Sequence, residues 1–267
     1  MRELSLRLVP DELWALVEPL LPVQRVRPQG GGTAYADERA VFTAVVFVLV
    51  SGCAWRHLPP CFAVTVPTAH RRFAEWTAVG VWRRLQEAVL DRLGADGALD
   101  WSRAVVDSAY VRAKKGAMTG PSPVDRGKAG TKIHVLTDAT GLPLQTAVTA
   151  ANTWDGHAVP PLVRALPAIK SPGGPRRRRP AKLHADKAYD ANHLRQWLTN
   201  RHITPRIARR GTESGDRLGT KRWKVERTMS WLFTYRRLGT RWERHDHLYA
   251  AFLTLAATLV CFRKLST

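Results

Sequence analysis

Apolar residues recur every three or four positions through the first third of the chain and every second position through much of the remainder. Pro10 to Leu21 has helical spacing with an acidic first turn, and Pro22 to Gly32 reads as a basic, turn-rich linker. Asp37-Glu-Arg39 opens a mostly apolar helix to about Ser51, which Gly52 to Pro60 interrupts. Thr65-Val-Pro67-Thr68 starts a helix through Trp76, with Pro in its first turn. A fourth helix runs from Gly80 to Leu93 on Val81, Leu85 and Val89, and Gly94-Ala-Asp-Gly97 ends it. Near Leu99 the period shortens, which divides the chain into a helical part, 1–98, and a mixed part, 99–267.

The mixed part begins with a β-branched run around Asp107 and a polar, Gly-rich loop from Arg112 to Gly130. Lys132 to Thr149 alternates on both sides of Asp138-Ala-Thr-Gly141, which predicts a hairpin and hence three consecutive antiparallel strands. Val159–Leu166 reads as a helix, and 171–180 as a solvated loop too rich in Pro, Gly and Arg to pack. A short strand then ends at Asp186, a helix covers Leu194–Asn200, and a last strand covers Ile203–Ile207. After a loop at 211–220, Arg222 to Arg237 has no Gly or Pro and predicts a helix of four or more turns. His247 to Leu265 closes the chain as a buried helix.

Charge narrows the function. Forty-two Lys and Arg against 22 Asp and Glu give a formal net charge of +20, self-repelling unless a polyanion offsets it. Nucleic acid is the expected partner, and a merely basic soluble protein is the bland alternative. Three scattered cysteines favour a reducing compartment, and no apolar run reads as a signal peptide or membrane span. In the helical part, two helices joined by a turn, the second bearing Arg71 and Arg72, suit a helix-turn-helix laid on DNA; any small helical bundle would show the same features.

Asp107 and Asp186 each lie at or near a strand end, where α/β sheets bind ligands, and Glu226 lies early in a helix set in basic sequence. Three acids around two divalent ions suit phosphoryl transfer, while the competing readings are a turn residue for Asp107 and surface ion pairs for Asp186 with Lys187 and for Glu226 with Arg222 or Arg227. Asp138 is best taken as a turn residue. On the 222–237 helix, Arg237 is eleven residues beyond Glu226 and so nearly on its face.

These motifs together resemble one family, the bacterial insertion-sequence transposases of the IS5 group. They are Leu8-Val-Pro-Asp-Glu-Leu-Trp14, Ser51-Gly-Cys-Ala-Trp55, Val106-Asp107-Ser, Gly130-Thr-Lys132-Ile-His, Ala151-Asn-Thr-Trp-Asp155, Ala185-Asp186-Lys-Ala-Tyr189 and Arg222-Trp-Lys-Val-Glu226-Arg. The resemblance implies an α/β, ribonuclease-H-like mixed sheet flanked by helices, preceded by a small all-α, helix-turn-helix-like domain that reads DNA ends. It implies a catalytic, metal-binding triad of Asp107, Asp186 and Glu226 that uses Mg²⁺ or Mn²⁺ to cleave at terminal inverted repeats and transfer strands to target DNA. A homodimer in the active complex and a cytoplasmic, nucleoid-associated location are implied too, with no membrane partner. Arg71, Arg72, Lys132, Arg222 and Arg237 are expected to meet DNA, and Arg237 is expected to hold phosphate in place of the signature Lys, whose position here is Phe233. A nuclease without strand transfer, or a non-catalytic DNA-binding remnant, remains the alternative.

Overall fold

Asp37 caps α3 (Glu38–Ser51) by accepting from the Arg39 and Ala40 amides, and Gly52, at φ 72°, ends it. The computed structural model describes residues 2–23, 36–209 and 216–265, the last stretch with side chains from Trp223 onward. Before α3 lie α1 (Arg2–Leu8) and α2 (Asp11–Val17); after it come α4 (Val66–Ala78), N-capped by the Thr65 hydroxyl, and α5 (Val81–Ala95). Residues 52–65, which join α3 to α4, contain two 3-10 turns, so the pair lacks the tight connection of a simple helix-turn-helix.

The sheet is built from β1 (Ala104–Ala113), β2 (Gly120–Pro121), β3 (Ala129–Thr137), β4 (Pro143–Ala150), β7 (Lys182–Ala185), β8 (Thr204–Ile207) and β9 (Thr240–Arg241). Its body runs β4-β3-β1-β7-β8. β3 is antiparallel to both its neighbours, β4 and β1, and the last three strands are parallel. That order and polarity are those of a ribonuclease-H-like sheet. Around it lie α6 (Val159–Arg164), α7 (Asn192–Thr199), α8 (Asp216–Phe233) and α9 (Asp246–Leu265).

α9 is long and apolar enough to cross a membrane by composition, but 72% of its apolar window is buried in the fold. It packs on β4 and α5, and α8 packs on β1. Trp55 and Phe73 stack against Phe252 of α9, so the front helices and the sheet share one continuous hydrophobic core.

Residues 171–180 are exposed from Pro172 to Arg179, as expected, but are not a loop throughout: β5 (Ile169–Ser171) and β6 (Gly174–Arg177) form a hairpin whose β5 strand packs on α5. α5 ends at Ala95, within the Gly94–Gly97 stretch expected to stop it. Gly94 is its penultimate residue, where an added Cβ would come within 2.2 Å of the Lys170 carbonyl oxygen, so glycine is what lets the hairpin approach.

Candidate active site

β1 and β7 pair in parallel at Ala104↔Leu183 and Val105↔His184. Asp107 and Asp186 each follow the last of these pairs by two residues, and the same register continued would put them on one pleat face roughly 5 Å apart. Asp107 is the fourth of ten residues of β1 and not at its end, the place expected from the sequence: β7 stops at Ala185 while β1 runs on along β3 to Ala113, so β1 loses its β7 neighbour beside Asp107. The Ser108 amide donates to Asp107 Oδ1 at 2.8 Å, and Asp186 caps the following 3-10 turn by accepting from the Ala188 amide at 2.8 Å. That turn delivers Tyr189, whose hydroxyl is buried without a well-formed hydrogen bond. Burial first, then the charges of Asp107, Asp155 and Asp186, push its pKa well above the usual range, while Ser108 opposes the shift. Tyr189 thus lies in the field of three carboxylates from distant parts of the chain.

Asp155 has a different role from the other two. Lys132, on β3 and only 2% exposed, donates to Asp155 Oδ1 at 2.7 Å and to the Thr153 carbonyl; the Ser108 hydroxyl donates to the same carboxylate at 2.9 Å. Its charge is therefore balanced internally, and the pair ties the segment after β4 to β1 and β3. Trp154 Nε1 donates to the Ala188 carbonyl at 2.7 Å, fastening the same segment to the Tyr189 turn. Neighbouring His134 is pushed down to about 4 by burial, with Asp155 opposing and Lys132 reinforcing.

Glu226 is carried by α8, which docks on the hairpin turn. Lys224 donates to the Ala139 carbonyl at 2.8 Å, Arg227 to the Thr140 carbonyl at 2.7 Å, and the Thr228 hydroxyl to the Gly141 carbonyl. Asp138 shapes that turn as expected, accepting from the amides of Thr140, Gly141 and Leu142. Val225, Met229 and Leu232 are buried, while Glu226 is exposed about half a helical turn from Lys224 and Thr228. Among the described residues no three His, Cys, Asp or Glu side chains are grouped to hold one ion. The β1–β7 pairing ends two residues before Asp107 and Asp186, and α8, which carries Glu226, packs on β1.

The basic residues fall into distinct places. Arg71 is exposed and pairs with Glu75 at 2.9 Å, whereas Arg72 is 9% exposed and reaches the same carboxylate at 3.1 Å. The side chain of Arg222 lies outside the described residues. α8 ends at Phe233, so Arg237 is not on the Glu226 helix; it belongs to a 3-10 turn, 5% exposed, and its guanidinium donates to Glu243 at 2.6 and 2.8 Å and to the Cys53 carbonyl. Lys132 and Arg237 both make their bonds inside the protein. Sequence reasoning passed over Tyr189 and the Lys132–Asp155 pair because neither shows in spacing.

Residues 9–86 match the family described as a transposase of the IS4/5 family (DUF4096), and residues 92–261 match the transposase DDE domain. Over 195 residues the chain is 40% identical to a protein of Burkholderia cepacia named as the transposase for insertion sequence element IS402, covering 73% of this chain and 91% of that one. Over 139 residues it is 31% identical to one named for element IS6501 in Brucella ovis, covering 50% and 98%. A solved piggyBac transposase synaptic complex with hairpin DNA aligns over 98% of this chain and 74% of that one, at 9% identity and a TM-score of 0.42; the fold assignment rests on strand order instead. The chain belongs to the IS4/5 family of DDE transposases: it is the transposase of an insertion sequence, an enzyme that acts on DNA.

Proposed function

We propose that this transposase cleaves DNA at the terminal inverted repeats of its element and joins the freed 3′ ends to target DNA, at a divalent-metal site founded on Asp107 and Asp186. The observation that carries the reading is the parallel β1–β7 pairing at Val105↔His184, two residues before Asp107 on one strand and Asp186 on the other, which supports their meeting at one ion. Mg²⁺ is commonly held by one or two carboxylates, with water and substrate phosphate completing its shell, so this pair fits such an ion. A bound Mg²⁺ or Mn²⁺ would supply Lewis-acid stabilisation of charge developing on the phosphoryl oxygens. Lys132 balances Asp155, whose carboxylate accepts from the Ser108 hydroxyl and so holds the backbone beside Asp107 in place.

Glu226 is the third ligand in this reading. It is exposed on α8, the helix that packs on β1. Arg71, exposed on α4, is proposed to touch the DNA end, and two copies of the chain are proposed to hold the two ends together.

Asp107→Asn, Asp186→Asn and Glu226→Gln test the site in a Mg²⁺-dependent nicking assay on end-bearing duplex. Each should fall below about a hundredth of the wild-type rate while still binding the ends. Full nicking by either aspartate variant would overturn the reading. Unchanged nicking by Glu226→Gln would leave a two-carboxylate centre. A joining assay with a pre-nicked end separates transposition from simple nuclease action.

A further inference from the structure

A cleft of about 890 Å³ opens between the β5–β6 hairpin and the turn joining α7 to β8. Six arginines line it, Arg164, Arg176, Arg177, Arg178, Arg179 and Arg201, with His202 beside them and no acid among the described lining residues. The cleft reaches Pro180 and Ala181, just before β7, and Asn200 to Ile203, just before β8. Asp186 follows the other end of β7, so the cleft lies at the opposite edge of the sheet, roughly 13 Å away along a four-residue strand.

Several of these guanidiniums are already positioned. Arg201 lies 4.5 Å over the Trp197 ring and Arg164 lies 5.5 Å from the same ring. Arg179 donates to the Arg201 carbonyl at 3.3 Å. Arg176 pairs with Asp91 of α5 through both carboxylate oxygens and pins the hairpin. Arg177 and Arg178 are exposed and make no ion pair with a described residue. Like charges in a concavity repel one another and focus the local field, an arrangement that a bound polyanion relieves. The aromatic rings here are not free to stack bases: Trp101 is 6% exposed, and Trp197 carries the two guanidiniums.

We propose that this cleft is a second DNA site, which grips the phosphate backbone of a duplex at the sheet edge remote from the catalytic aspartates and does not read its sequence. The proposal rests on the transposase reading. Arg177 and Arg178 are its phosphate contacts, and the arginines fixed by Trp197 and Asp91 shape its walls.

The test measures the affinity of the full chain for an end-bearing duplex across a salt series. Arg177→Ala/Arg178→Ala should reduce the slope of log affinity against log salt by about 1.8, two contacts at about 0.9 each. Between 50 and 200 mM salt, the wild type should then lose about 12-fold more affinity than the variant, from the same slope. Arg177→Lys/Arg178→Lys keeps both charges and should restore the slope. An unchanged slope overturns the proposal. So does an equal reduction in Arg7→Ala/Arg83→Ala, which removes two exposed charges elsewhere. Mg²⁺-dependent nicking by the wild-type chain is read in parallel: its absence would refute the active-site reading, while the salt slopes still decide the cleft.

Discussion

At the scale of single residues, the buried charges of this molecule are structural before they are chemical. Lys132→Met leaves Asp155 without its cation and should cost about 3–5 kcal/mol, whereas Lys132→Met/Asp155→Asn should recover most of that, read from denaturant melts. Arg237→Ala strands Glu243, 7% exposed, and should destabilise by a similar amount. His134 gives a pH dependence of known sign. Its folded pKa, about 4, lies below the 6.5 of the exposed ring, so the unfolded chain binds the extra proton and stability falls as pH drops from about 6.5 towards 4. The full loss is about 3 kcal/mol, and His134→Gln should flatten that stretch of the stability profile. None of these roles was legible in the sequence, since Lys132 and Asp155 are 23 residues apart and Lys132 and Arg237 were expected to meet DNA rather than an internal acid.

At the scale of elements, the interface between α8 and the hairpin turn controls where Glu226 is presented. Gly141 adopts φ 99°, and an added Cβ would lie 3.1 Å from the Lys224 carbonyl oxygen. Gly141→Ala should therefore cost about 1–3 kcal/mol and slow nicking by shifting α8, a loss that Ala139→Ser, also in the turn, should not reproduce. The hairpin itself was evident from alternation around Asp138, as were α3, α4 and α9 from apolar spacing and caps. The extent of α8 was not: the run without Gly or Pro suggested a helix through Arg237, yet the helix ends at Phe233 and Tyr235 turns into the core, 1% exposed. A breaker-free sequence permits a helix, but burying Tyr235 and pairing Arg237 decides where it stops.

Across the whole molecule, the front helices and the sheet share apolar contacts through α9 and α5. Thermal unfolding should accordingly show one transition, with calorimetric and van't Hoff enthalpies equal, and a fragment of residues 1–98 should not melt cooperatively by itself. A separate low-temperature transition for the front helices would contradict this. The formal charge of +20 includes the six arginines of the cleft beside the β5–β6 hairpin, proposed to grip DNA away from the reacting strand.

By itself the sequence determined the existence and order of most elements, the change from helical to mixed architecture and the polyanionic partner, because these depend on local periodicity, turn chemistry and total charge. Only tertiary structure decided that β1 pairs with β7 just before Asp107 and Asp186, that Asp107 lies within its strand and not at its end, that Lys132 and Arg237 serve the interior, and that four consecutive arginines line a cleft. Those facts depend on which strands pair and in what register, and pairing between segments 79 residues apart is set by the packing of the whole core rather than by any stretch within it.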